Sequence, residues 1–478
     1  MRHLKTIILG VLILSAAVLL ARPPRLRETI PPGRVEIRYW EKWSGKEADQ
    51  MKEIVDDFNR TVGKEKGIWC SYISMSSVDQ KTLTATAAGD PPDVAGVWDA
   101  QITQFAAMNA LEPLDDWAKA AGITRGDYLK PVFYDGCSYN GHLYGLPSTP
   151  GGVALHYNKK IFRDKAKELR AAGLDPDRPP RTIDELDRYS AVLDTWDKNG
   201  NLIAAGFLPQ EPGWWMSLMS YWFQGDVYDP KTRKVTFTDP HTVAAYKWVE
   251  GYVKRLGPQT IQSFRAANGK DNFDSPISPF FTGAVAMEME GPWKANYVKK
   301  YAAKLDNPLG LSEEELAKLP RDERRKDCDW GAAPFPDVAG EDNIGYASMD
   351  VFVIPKSGRH KKEAFEFIAF VNRADEMEKL VSLHCKTSPL AKMSDQYIRN
   401  HPNPYIEVFE ELNASPKARS LPSLPVWPEV KAELDYAADR ISNGEATAEQ
   451  ALQDAQVRAQ AKVDQFFERQ NQREALKK

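Results

Sequence analysis

The chain lacks most of what a catalyst carries. None of its seven histidines pairs with another at metal-ligand spacing. It has no GxSxG, P-loop, HExxH or GxGxxG-plus-acid unit, so the common hydrolase, nucleotide, metalloprotease and dinucleotide signatures are missing. No catalytic residue, metal or cofactor is therefore expected. The four cysteines, Cys70, Cys137, Cys328 and Cys385, form no CxxC pair. Zinc ribbons and thioredoxin-like chemistry are not indicated. The thiols read either as buried small apolar residues or, in an oxidising compartment, as two disulfides with three pairings open. Basic charge is not in excess, with 63 Lys+Arg against 67 Asp+Glu and a net charge of −4. That speaks against nucleic acid as a partner. There is no internal repeat and no long low-complexity tract. Only one apolar run nears membrane length, so no transporter channel is encoded.

That run is at the N-terminus. Arg2 and Lys5 precede an apolar stretch over residues 7–21. It falls short of the roughly 20 residues that span a bilayer. With Ser15, Ala16 and Ala17 near its end, it reads as a secretory signal. No Cys follows it, which excludes a lipoprotein anchor. Arg22, Arg25 and Arg27 follow closely, which is unusual after a cleavage site and leaves an uncleaved anchor open. Both readings place the bulk of the chain in the periplasm or otherwise outside the cytoplasm.

The remainder is globular in composition, with 42% hydrophobic and 27% charged residues. At 478 residues, two or three domains are expected. Thirteen tryptophans are many, and several stand in loop-like stretches. They suggest a surface that holds something flat and apolar.

Strands and helices alternate. Residues 35–39 alternate like a strand. Residues 45–58 have helical spacing, with Met51, Ile54, Val55 and Phe58 on one face. A strand at 68–74, a short helix at 81–88 and a buried strand at 94–97 follow. Gly89-Asp90-Pro91-Pro92 ends that helix. This order implies right-handed crossovers and a mostly parallel sheet, with ligands at the carboxyl ends of the strands. Trp40 and Trp43 follow the first strand, and Trp98 and Asp99 the third. Two strand ends thus deliver Trp to one edge. Further on, Thr182 with Glu185 fits a capping box. Helical stretches are expected at 214–223 and 240–253, and again after a strand at 351–355. Residues 312–326 read as a charged, solvated helical excursion. Residues 428–478 read as nearly all helical, broken at Gly444, with Thr447 and Gln450 as a second capping box.

Several short motifs occur in a fixed order: Gly89-Asp90-Pro91-Pro92-Asp93-Val94, Tyr144-Gly145-Leu146-Pro147, Tyr157-Asn158-Lys159, Pro179-Pro180-Arg181-Thr182 and Gly291-Pro292-Trp293. Over residues 35 to about 461, this order resembles the extracellular solute-binding proteins of family 1, the carbohydrate-binding components of ABC importers. The resemblance implies an α/β, two-lobed periplasmic-binding-protein clamshell, each lobe a mostly parallel sheet flanked by helices. Residues 1–33 would be signal or anchor plus linker. Lobe one would hold 34–148 and 345–372, and lobe two 149–344 and 373–478. The chain would cross between lobes near 147–153, 343–347 and 372–375.

A pyranose has an apolar face of C–H groups and a belt of hydroxyls, suited to aromatic rings and to carboxylates respectively. By resemblance, Trp98 with Asp99 is the aromatic-plus-acid pair of lobe one, and Trp293 the stacking ring of lobe two. Trp427 is a candidate third platform. Trp40, Trp43, Trp215 and Asp350 are further candidates. The implied function is capture of a sugar or oligosaccharide by hinge closure and delivery to an ABC permease, by a monomer. Two alternatives are a binding protein serving a membrane sensor and an extracytoplasmic glycoside-processing enzyme. For the latter, Glu288 and Glu290 on one strand face would supply the two carboxyls.

Overall fold

The computed structural model describes residues 29–128, 131–268, 274–340 and 344–476. The N-terminal export segment and Asn343, where the second crossing is expected to begin, lie outside them. No helix among the described residues is long and apolar enough to cross a membrane.

Ten strands build two five-stranded sheets: β1 (Val35–Glu41), β2 (Ile68–Ser74), β3 (Val94–Trp98), β4 (Gly145–Pro150), β5 (Ala154–Asn158), β6 (Thr195–Trp196), β7 (Leu202–Phe207), β8 (Val285–Glu290), β9 (Trp330–Ala333) and β10 (Met349–Val353). The first sheet has the order β2-β1-β3-β10-β4. Its β1, β2 and β3 are parallel, and β10 runs against both neighbours. The second has the order β9-β5-β8-β7-β6. Only β7 and β8 are parallel there, so that sheet is mixed. The chain enters it straight from β4 through β5, which pairs antiparallel to β8.

Eight helices matter for the site: α1 (Gly45–Arg60), α2 (Ala100–Ala107), α3 (Pro240–Leu256), α4 (Lys294–Tyr301), α5 (Lys361–Val371), α6 (Ala374–His384), α7 (Trp427–Ser442) and α8 (Ala448–Ala475). Local chemistry fixes several ends. Asp239 caps α3 by accepting from the His241 N–H at 2.9 Å, with Pro240 in the first turn, where its missing N–H costs nothing. The Thr182–Glu185 box is half made. The Thr182 hydroxyl accepts from the Glu185 N–H at 3.1 Å, but the Glu185 carboxylate turns to Arg178 and the Arg181 N–H. The stretch after Trp215 is a 3₁₀ helix, Met216–Phe223.

Each sheet is the centre of its own core. Met51, Ile54, Val55 and Phe58 of α1 bury against the first sheet together with Phe367 and Ile368 of α5. Val430, Leu434, Ala437 and Ile441 of α7 bury in the second with Ala451, Ala455 and Val463 of α8. A third, smaller cluster joins Phe280, Val298 and Trp330 to Cys385, Tyr405 and Phe409. One expected boundary is displaced. Met377, Leu380 and Val381 of α6 bury in the first core, as do Leu390 and Tyr397. The first core therefore continues through α6 as far as Tyr397, beyond the crossing expected at 372–375. The physical reason is that α6 has an apolar face that packs against α1 and α5. All four cysteines are buried free thiols.

Candidate ligand-binding site

Parallel strand ends supply the rings in both lobes. In lobe one, β1 and β3 end at the same edge, followed by Trp43 and ending in Trp98. In lobe two, β7 and β8 end at the same edge, and the segments after them carry Trp215 and Trp293. Cations interleave the rings. The Lys42 ammonium lies 5.2 Å from the centroids of both Trp43 and Trp98. The Lys386 ammonium lies 5.0 Å from Trp43 and 5.3 Å from Trp293. Trp293 meets Trp215 at 6.3 Å, and Trp215 meets Trp214 at 6.3 Å and Tyr346 at 6.2 Å. A continuous row thus runs Trp98, Trp43, Trp293, Trp215, crossing from one lobe to the other.

Trp293 is held by its own turn. A Cβ on Gly291 would come within 2.2 Å of the Trp293 ring, and one on Gly151 within 3.8 Å. The indole therefore lies over backbone that only glycine leaves open at position 291.

Asp350 ties the row together. β10 sets it beside Trp98 in the antiparallel register. Its carboxylate takes Lys42 at 3.0 Å, Lys386 at 3.1 Å, the Thr149 hydroxyl at 2.8 Å and the Trp43 indole N–H at 3.3 Å. Burial would raise its pKa, but the two ammoniums outweigh that and hold the carboxyl well below the usual carboxylate range. Lys386 also pairs with Glu47 at 3.0 Å, and its own pKa rises. Glu47 accepts from the Tyr297 hydroxyl of α4 at 3.2 Å, a contact between lobes.

Asp99 stands apart from this network. Its carboxylate accepts from the Ser348 hydroxyl and the Ala100 N–H, each at 3.0 Å. Desolvation outweighs those bonds, and the negative Asp350 adds to it, so the pKa is pushed up to about 7. Beside it, a cavity of about 190 Å³ lies between Thr103 and Gly136 of lobe one and Ser420, Pro422 and Ser423 of the other side. That is below the roughly 300 Å³ lower end of small-molecule pockets. Gln104 of α2 reaches Glu429 of α7 across the gap at 3.4 Å. A larger cavity of about 720 Å³ lies under residues 309–327, lined by Arg321, Arg324 and Arg399. It contains none of these rings.

The row gathers Trp98, Asp99, Trp293, Trp215, Trp43 and Asp350 around one region, but with different exposure. Trp98 is 43% exposed, whereas Trp293 and Trp215 are half-buried. Trp43 is 5% exposed, its edge on His384 at 4.5 Å and its N–H used by Asp350. It is an anchor of the core rather than an open platform. Trp427 is corrected in the same way. At 1% exposure it is filled into the lobe-two core at the start of α7. Trp40 lies within β1, on the face opposite Tyr39, and packs on the lobe-one core rather than at the strand end. Sequence reasoning missed Lys42, Glu47, Lys386, Tyr346 and Ser348. Lys42 adjoins Trp43 and carried that positional signal, whereas Lys386 carried none.

Glu288 and Glu290 share a strand face, but that face is closed. Both are buried, and Glu288 is ion-paired to Lys294. They are not presented to the gap between lobes. Among the described residues, no group of three or more His, Cys, Asp or Glu is placed to hold a metal ion.

Comparison with known proteins gives a consistent placement. The model of the bacterial extracellular solute-binding protein family matches residues 44–378. The sn-glycerol-3-phosphate-binding periplasmic protein UgpB of Pectobacterium atrosepticum is 23% identical over 456 residues, covering 90% of this chain and 92% of that protein. A maltotriose-binding protein of Pyrococcus abyssi is 22% identical over 362 residues, covering 73% of this chain and 66% of its own length. Among solved structures, CpMnBP1 with mannobiose bound superposes with a TM-score of 0.74 at 24% identity, covering 89% of this chain and all (100%) of that one. The sugar-binding protein MalE of Xanthomonas citri gives 0.67 at 21% identity, covering 91% and 99%. These structural likenesses establish the fold, a two-lobed mixed α/β clamshell. The matched length establishes the kinship: the chain belongs to the bacterial extracellular solute-binding protein family.

Proposed function

We propose that this solute-binding protein captures a neutral saccharide between its lobes and presents the closed form to an ABC permease. The observation that carries the reading is the ring row, half from each lobe, beside Asp99. Trp98, Trp293 and Trp215 offer apolar faces to the C–H faces of a sugar. Asp99 and Ser348 address hydroxyls. With a pKa near neutrality, Asp99 accepts a hydrogen bond when ionised and donates one when protonated. Each lobe holds only part of the contact set, so ligand favours the closed form by its differential affinity.

Neutrality follows from the pairing of the cations. Lys42 is held by Glu41 at 3.2 Å and by Asp350, and Lys386 by Asp350 and Glu47. A phosphate dianion would have to compete with those carboxylates, which sets this site against a glycerol phosphate. The relatives named for maltotriose, mannobiose and mannotriose support the saccharide reading. Export by the N-terminal segment and a monomeric state are part of the same proposal.

The test is a thermal-shift panel of neutral mono- and oligosaccharides with glycerol 3-phosphate as comparator. A ligand of the folded state raises Tm. The expected result is a rise with at least one neutral saccharide and none with glycerol 3-phosphate. A rise with glycerol 3-phosphate alone overturns the reading.

A further inference from the structure

Under the Trp293 turn lies a buried charge cluster that ligand contact does not use. Glu288 and Glu290 project from one face of β8, and both are buried. Lys294, in the first turn of α4, pairs with Glu288 and is buried beneath the Phe280 and Phe281 rings at 5.1 and 4.3 Å. His156 of β5 sits opposite Glu288 in the register. Its ring abuts the Glu290 and Gly291 carbonyls and stacks on Trp330 at 5.8 Å. From lobe one, the Glu47 carboxylate of α1 acts on Glu290 through its charge.

The turn itself is tied to this cluster. One Glu290 oxygen accepts from the Gly291 N–H at 2.8 Å. The other, Oε2, is buried with no hydrogen-bond partner. Between that bond and the Lys294–Glu288 pair hang only Gly291, Pro292 and Trp293. The indole then lies back across Gly291.

We propose that Glu290 is a positioning residue that sets Trp293 through the Gly291 turn, and that the setting changes when Glu290 gives up its proton. The inference rests on the stacking role proposed for Trp293. Charge counting supports it. One ammonium, Lys294, serves two carboxylates, and Glu288 takes it. His156 is neutral, its pKa lowered to about 3 by burial and by Lys294. Glu47 adds a negative charge that Lys386 already pairs, and so brings no cation to Glu290. A second bare carboxylate in this core would be uncompensated, and a buried unpaired charge is avoided by taking a proton. Burial accordingly pushes the Glu290 pKa up to about 8. Above that pH the Gly291 N–H is held more strongly, but the second oxygen, Oε2, becomes a buried charge without a partner and the turn must rearrange to bring it water or a cation.

Fluorine NMR on protein labelled with 5-fluorotryptophan tests this without any ligand, with Trp293 assigned through Trp293→Phe. The Trp293 resonance is expected to move between pH 6 and pH 9. Glu290→Gln, the neutral isostere, should hold it at the low-pH position throughout. Glu290→Met, which cannot bind the Gly291 N–H, should displace it at every pH. In parallel, mannobiose affinity of the wild type should fall by up to about tenfold per pH unit above the transition, and that of Glu290→Gln should stay level. A resonance that is static in the wild type overturns the proposal. So does a Glu290→Met protein whose melting point drops while its Trp293 resonance stays as in wild type. Failure of mannobiose to bind at either pH counts against the saccharide reading, while the resonance series still decides the role of Glu290.

Discussion

The two lobes bury carboxylates in opposite electrostatic settings. In lobe one, Asp350 has two ammoniums, a hydroxyl and an indole N–H around it, and stays ionised. In lobe two, Glu288 and Glu290 share one ammonium, and the second carboxyl goes up to about 8. Burial is nearly complete in both places, so burial does not decide the outcome. The number of cations within contact does. The consequence is functional asymmetry. The lobe-one half of the ring row is clamped by permanent charge, and on the proposal above the lobe-two half is held by a titratable one.

The largest expected effect comes from breaking the clamped half. Asp350→Asn leaves Lys42 and Lys386 without their shared carboxylate, and removing one partner of a buried pair costs about 3–5 kcal/mol. Denaturant unfolding at neutral pH measures it. A loss below about 1 kcal/mol would mean that water, not Asp350, balances these lysines.

Lys294→Met makes the same kind of cut in lobe two, with a different expected outcome. The stranded carboxylates can both take protons, so the loss should stay below that of Asp350→Asn at pH 5. It should grow toward pH 8. A loss that does not vary with pH would contradict the proton-sharing picture.

The wild-type pH profile separates the halves further. Asp350, with its pKa lowered, contributes stability that is present above the unfolded carboxylate value near 4 and is lost as pH falls. Asp99 and Glu290, with pKa values raised to about 7 and about 8, bind protons in the folded state that the unfolded chain has released. They make stability decline as pH rises from about 4 through those values. Asp99→Asn and Glu290→Gln should each flatten part of that decline, and Asp350→Asn should leave the Glu290 part in place while easing the Asp99 part. Chemical denaturation at half-unit pH steps resolves the slopes.

The smallest effect on stability belongs to the open end of the row. Trp98 is the most exposed ring, so Trp98→Ala should stay within about 0.5 kcal/mol of wild type. A larger drop in the melting curve would make Trp98 part of the core.

The fold was legible because it rests on local signals. The period-2 strand at 35–39, the apolar face of α1, and the Gly-Asp-Pro-Pro break before β3 are all short-range. The boundary of lobe one was not, because α6 joins it through Met377, Leu380 and Val381, and nothing in that segment names its partner. Trp98 could be placed at a strand end because strand order determines where such ends meet, whereas Trp293 was placed by the resemblance of its Gly-Pro-Trp motif. Burial could not be placed so well. Trp43 and Trp427 look like platforms in sequence, yet the first is enclosed by Lys42, Lys386 and His384 and the second by the α7–α8 core. Lys386 shows the limit most plainly. It lies 36 residues from Asp350 in sequence, and only the return of the chain after α6 brings its charge to the row.

Calorimetric titration of the wild type, Trp98→Ala and Trp293→Ala with a neutral saccharide from the panel, mannobiose first, tests capture between the lobes most directly. One ring comes from each lobe. Each change forfeits area burial of about 1.5–3 kcal/mol and a ring-geometry gain of about 0.5–1.5 kcal/mol. Both variants should therefore fold as the wild type does and bind at least tens-fold more weakly. Undiminished affinity in both variants, with either ring gone, would contradict a saccharide held between these rings.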